Sequence, residues 1–130
     1  MHMAETSIIQ DSMVNEMIHL LRLYGDQSDR KGKVILVDRL WPRGISREDL
    51  WIDIWMKDIA PSNDLRKWFG HEAQKWDEFK DKYFTELDSN PLTAKLLDIC
   101  RTSDVTFLYS AREEKINNAV ALKLYVESHL

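Results

Sequence analysis

The chain has 130 residues, 44% of them hydrophobic and 31% charged, which is enough apolar surface for one packed core and argues against global disorder. Eighteen Lys and Arg against 22 Asp and Glu leave a formal net charge of -4, so the chain as a whole repels polyanions, and nucleic-acid binding is disfavoured. One cysteine, Cys100, excludes an internal disulfide and a multi-cysteine zinc site, and a reducing compartment, the cytoplasm, is the expected location.

The opening, residues 1–16, is polar and aperiodic and is expected to be a frayed or appended extension, with a single α/β domain over 17–130. From Ile18 to Tyr24 a mixture of alternation and short apolar run predicts an edge strand. A turn-rich stretch from Gly25 to Gly32 leads into Val34-Ile35-Leu36-Val37, a continuous aliphatic run that predicts a strand buried on both faces, as in sheets covered by helices. Ser46-Arg47-Glu48-Asp49 has the spacing of a helix start, predicting a short helix or turn through Trp51 and Trp55. Pro61-Ser62-Asn63-Asp64 predicts a second helix, stopped by Gly70.

Trp76, Phe79, Tyr83 and Leu87 recur at helical spacing and predict an amphipathic helix over 72–88 with its aromatic stripe inward. Asn90-Pro91 breaks it, and Leu92 to Cys100 continue in another helix. Val105 to Tyr109 is the second strongly strand-like run. Residues 113–130 predict a final helix with Ile116, Ala119, Val120 and Leu124 on its buried face. The fold class is therefore α/β: a small, at least partly parallel sheet covered by helices. No apolar run approaches the length of a membrane span.

Ligands of open parallel sheets sit beyond the carboxyl ends of strands. That rule selects Asp38-Arg39-Leu40-Trp41-Pro42-Arg43-Gly44 after the first buried run and Ser110-Ala111-Arg112 after the second. If the two strands are parallel neighbours, Arg39, Arg43 and Arg112 converge with Asp38 and Ser110, a set suited to a phosphate or carboxylate because arginine offers a planar fork of donors. The plain alternative for Asp38 and Arg39 is a structural ion pair at a strand end. Trp41, Pro42 and Gly44 around Arg43 hold that arginine at modest entropic cost, which favours a site. His71 is a candidate general base if the fold brings it to the crevice, and otherwise a solvated loop residue. Trp51, Trp55, Trp68 and Trp76 are read as core, and Cys100 as a buried small hydrophobe. The spacing of His2, His19, His71 and His129 fits no metal motif, and no nucleotide-binding glycine loop or serine-hydrolase elbow is present, so no metal and no cofactor are expected.

Val37-Asp38-Arg39-Leu40-Trp41-Pro42-Arg43-Gly44, Trp55 to Ser62, Leu65-Arg66-Lys67-Trp68-Phe69 and Leu108-Tyr109-Ser110-Ala111 closely resemble the bacterial YeaO-like family, catalogued as domain of unknown function 488. The resemblance runs from about Met17 to the end. It implies a set of positions, Asp38, Arg39, Trp41, Arg43, Arg66, Tyr109 and Ser110, and no stated reaction. Family members often read Asn-His before the final helix, where this chain has Asn117-Asn118; asparagine hydrogen-bonds but does not shuttle a proton at neutral pH.

Two functional expectations follow. One is binding of a small anionic or phosphorylated ligand by Arg39, Trp41, Arg43, Arg66, Tyr109, Ser110, Arg112 and Asn117, with Asp38 and His71 as the candidate catalytic groups if the ligand is also processed. The other is a non-enzymatic interaction or regulatory domain that presents Trp41 and Arg43 to a protein partner. The sequence leaves the oligomeric state open.

Overall fold

Both buried runs form strands of one sheet. The computed structural model describes residues 18–130, so the extension expected over 1–16 lies outside the described residues. Four parallel strands, β1 (Ile18–Arg22), β2 (Lys33–Leu36), β3 (Ile54–Trp55) and β4 (Val105–Tyr109), lie in the order β1-β4-β2-β3. Strand β4 is buried throughout and sits between β1 and β2, with Ile35 opposite Phe107 and Leu36 opposite Leu108. The helices are α1 (Asn63–Phe69), α2 (Trp76–Asp88), α3 (Leu92–Thr102) and α4 (Asn118–His129), with short 3-10 turns at Lys57–Ile59 and Ala73–Lys75. Among the described residues, no helix is long and apolar enough to cross a membrane.

The α/β class and the parallel sheet agree with the sequence, but the covering of the sheet does not follow the expected plan. Side chains alternate across a strand, and one face of the sheet, with Ile18, Ile35, Val37, Val105, Phe107 and Tyr109, packs against all four helices. The other face, with Leu23, Val34, Leu36 and Leu108, is covered by the connection between β2 and β3 through Leu50, Trp41, Ile45, Ile52 and Trp55. A parallel sheet must be covered on both faces, and here a segment without regular helix covers the second.

That segment is where a short helix or turn was expected from Ser46. The start signal yields one turn, Asp49 N–H donating to the Ser46 carbonyl at 3.1 Å. The chain then pairs with β2 instead: Asp53 N–H donates to Val34 O, Met56 N–H donates to Leu36 O, and Val34 N–H donates to the Asp53 carboxylate at 2.8 Å. Edge pairing outweighs a weak local helical preference because Leu50 and Ile52 reach the open sheet face from this path. Trp51, between them, points outward and is 62% exposed, with the Arg30 guanidinium beside its ring; reading it as core is corrected.

Elsewhere the local signals act as expected. Ser62 caps α1 by accepting from Leu65 N–H at 3.1 Å, and Gly70 ends it in the left-handed conformation at φ 54. Phe79, Tyr83 and Leu87 are buried along α2, and the Tyr83 phenol donates to the Ile59 carbonyl at 2.6 Å. The final helix starts only at Asn118, because Glu113 accepts from Lys115 and Ile116 N–H and holds a turn there. Its buried residues are Ala119, Ala121, Leu122, Tyr125 and Val126, whereas Leu124 is exposed. Both apolar faces of this helix resemble each other in sequence, and packing selects the one carrying Tyr125, whose phenol reaches Asp88 at 2.6 Å.

Candidate functional site

Since β2 and β4 are adjacent and parallel, their carboxyl ends deliver Asp38 and Ser110 to one place. The loops then diverge. The chain after β2 turns over the helix-free face, and the chain after β4 turns toward α4 on the helical face, which opens a crevice at the point where such sheets bind ligands. A cavity of about 380 Å³ occupies it, lined by both loops, by the start and end of α1 and by α2.

Asp38 lines the cavity with its carboxylate fully engaged on one oxygen. One of its oxygens, Oδ2, accepts from Ser110 N–H at 2.9 Å and from Ser110 Oγ at 2.8 Å; the other, Oδ1, accepts from Asn118 Nδ2 at 3.2 Å. Asn118 Nδ2 also donates to the Val37 carbonyl at 3.2 Å, so this amide ties α4 to the end of β2. Burial pushes the Asp38 carboxyl above its ordinary value of 3.8, against the opposing pull of the Ser110 and Asn118 donors and of the Arg66 guanidinium. Beside it Asn117 is buried, caps α4 by accepting from Val120 N–H and donates to the Glu113 carbonyl.

Four basic side chains line the cavity: Arg39, Arg43, Arg66 and His71. They differ in what else holds them. Arg39 donates from Nε to the Pro61 carbonyl at 3.2 Å and from Nη2 to the Ala60 carbonyl at 3.1 Å, and pairs with Asp58 at 3.5 Å. Its donors secure the entry to α1, which is the structural reading of this residue. The same entry is held from below by Glu86, which accepts from Ser62 N–H and from Ser62 Oγ at 2.6 Å. Arg43 is exposed, and Arg66 has only a 3.3 Å bond to Asn63 Oδ1; neither has a carboxylate within ion-pair distance among the described residues. His71 is exposed and has φ 59, an uncommon conformation for a residue with a side chain.

The remaining wall is apolar. Phe69 and Phe79 stack at 4.3 Å between centroids and, with Ala60 and Pro61, close one end of the cavity. At the mouth stand Leu40, 61% exposed, and Tyr24, 44% exposed, whose phenol donates to the Arg43 carbonyl at 2.9 Å and so holds the Arg43 loop.

The structure therefore brings Asp38, Arg39, Trp41, Arg43, Arg66, His71, Ser110 and Asn117 to one cavity. It leaves out two expected members. Arg112 is exposed and does not line the cavity, because the chain turns at Ala111, whose carbonyl accepts from Arg22 Nε at 3.1 Å. Tyr109 faces the helix-covered core, one residue out of phase with Ser110, and burial pushes its phenol up. Trp41 lines the cavity yet is half-buried: its indole donates to Ile45 O at 2.7 Å, its ring meets Trp55 edge-on at 5.3 Å, and the Arg47 guanidinium lies over both rings.

Asn118, Phe69, Phe79 and Tyr24 were not among the expected site residues. Tyr24 was within reach of the same rule that found Asp38, since it follows β1, itself parallel to β4. Phe69 and Phe79 serve as core and cavity wall together, and helical spacing reports only the first role.

The fold and the cavity define a small parallel α/β domain with a ligand-type crevice at the carboxyl ends of its central strands. The chain belongs to the family described as the inactive DUF488-N3 subclade, whose model matches residues 17–130, in agreement with the YeaO-like resemblance of its motifs. It is 40% identical over 112 residues to the uncharacterized protein YeaO of Escherichia coli K12, covering 85% of this chain and 97% of that one. It is 37% identical over 111 residues to an uncharacterized protein of Mycobacterium tuberculosis, covering 85% and 94% respectively. No solved structure matches the chain significantly.

Proposed function

We propose that this domain binds a small anionic ligand, phosphorylated or carboxylated, in the cavity between the loops that follow β2 and β4, and that it holds the ligand without turnover. The observation that carries the proposal is the pair Arg43 and Arg66, which line one concave site without a carboxylate partner among the described residues. In a chain of net charge -4, two guanidiniums without an ion-pair partner around a hollow, Arg66 meeting the Asp38 carboxylate only at longer range, are best accounted for by an anion from outside the chain.

Binding without reaction is supported from two sides. Both oxygens of Asp38 accept bonds that join β2, β4 and α4, which suits a structural keystone better than a mobile base. The description of the matching family as an inactive subclade points the same way. The alternative, a surface presenting Trp41 and Arg43 to a protein, draws less support because Trp41 turns inward onto Trp55.

The test is calorimetric titration with inorganic phosphate and a panel of phosphorylated and carboxylated compounds, at low and at physiological salt. Binding is expected to weaken about tenfold or more in Arg43→Ala and in Arg66→Ala, with the melting temperature unchanged. The absence of any anion whose binding depends on Arg43 would overturn the proposal.

A further inference from the structure

Asp38 places a carboxylate in the same hollow as the arginines, and a simple anion seated there would meet like charge. A carboxylate has about four acceptor sites. Ser110 and Asn118 fill three of those of Asp38, two on Oδ2 and one on Oδ1, which leaves one acceptor site on Oδ1 in the lining of the cavity. A ligand satisfies it only by donating. An ammonium donor is disfavoured by Arg39, Arg43, Arg66 and His71 around the same space, so the donor that fits is neutral. The end of the cavity built by Phe69, Phe79, Ala60 and Pro61 is apolar and has no polar side chain to match a polar ligand body.

We infer that the ligand of this cavity is a hydroxylated acid: its phosphate or carboxylate meets Arg43 and Arg66, its hydroxyl donates to Asp38 Oδ1, and a compact apolar body between them rests against Phe69 and Phe79. The inference rests on the anion-binding reading above and narrows it. Asn118 sets this preference as a positioning residue, because its amide holds Oδ1 in place while leaving room for one further donor. A buried charged acceptor left without its donor is costly, so the hydroxyl discriminates between ligands more strongly than the size of the apolar body does.

Matched pairs that differ by one hydroxyl test this by calorimetry: phenyl phosphate against its ortho-, meta- and para-hydroxyphenyl counterparts, and phenylpropionate against phenyllactate. At least one hydroxylated member is expected to bind wild-type protein about 10- to 100-fold more tightly than its parent, and to shift the carboxyl carbon resonance of Asp38 where the parent does not. In Asp38→Asn the preference is expected to shrink at least tenfold while the parent, freed of the like charge, binds at least as tightly as to wild type; should that variant not fold, the wild-type pairs and the Asp38 resonance decide alone. Parents that bind through Arg43 with equal or greater affinity than every hydroxylated partner overturn this inference and leave the anion site standing. No binding of any member, inorganic phosphate included, overturns both.

Discussion

Arg39 and Arg43 stand four positions apart in one loop and line one cavity, yet they do different things. The Arg39 fork is consumed by the Ala60 and Pro61 carbonyls and by Asp58, whereas Arg43 only lends its backbone carbonyl to Tyr24. Arg39→Ala is therefore expected to lower the unfolding free energy by about 2 kcal/mol, from two carbonyls left without donors, and Arg43→Ala by less than about 0.5 kcal/mol; urea titrations of the two variants, run side by side, compare them. Asp38 has a pH signature. Its folded carboxyl holds a proton to higher pH than the unfolded chain does, from 3.8 upward, so the native state binds more protons across that window. Its contribution to stability is fully present below the unfolded value and is lost as pH rises through the folded one. Wild type should lose stability relative to Asp38→Asn as pH rises above about 4, read from denaturant midpoints; the opposite trend would show that the Ser110 and Asn118 donors outweigh burial.

The strands and helices were legible in the sequence wherever one signal acted alone. Ser62 and Gly70 bound α1 because cap chemistry is local, and Val105 to Tyr109 form a central strand because a continuous apolar run has no other home. The two-residue strand β3 was not legible, since its pairing with Ile35 and Leu36 is decided by an open sheet edge 19 residues away. Among the linking residues, Gly32 carries the sharpest constraint. Its φ is 63, and an added Cβ would lie 2.0 Å from the backbone oxygen of Asp104, the same oxygen that accepts from Lys33 N–H. Gly32→Ala must displace β2 from β4, and a loss of about 3 kcal/mol or more is expected in equilibrium unfolding. Gly44, at φ 77 with open space around it, should lose only about 1 kcal/mol on the same change. Equal losses at the two glycines would mean that the approach to Asp104 is not what Gly32 provides.

Taken whole, the molecule has two unequal halves about its sheet. Asp38 and Ser110 were found from the sequence because parallel strands align their carboxyl ends, a property of the fold class itself. The departure of Arg112 from the site, and the inward turn of Trp41, depend on where the chain goes next, and nothing in Ser110-Ala111-Arg112 encodes that path. The thicker half, with four helices, encloses Cys100 in the last turn of α3, fully buried, with its thiol pushed up to about 12 by burial. Thiol reagents at neutral pH should therefore label the native chain only as fast as it opens. Labelling at the rate of a free thiol, followed by absorbance, would show that α3 is not closed over it.

The thinner half has one consequence for the molecule in use. The strip of chain that roofs Val34, Leu36 and Leu108 is continuous with the strip that carries Leu40 and Arg43 to the cavity, and Arg66 belongs to the opposite layer. Were an anion gripped by both arginines, it would act as a rivet through a laminate, fastening the lightly attached layer of the sandwich to the heavy one. Occupancy would be felt as tightness in a hydrophobic seam that the ligand never touches.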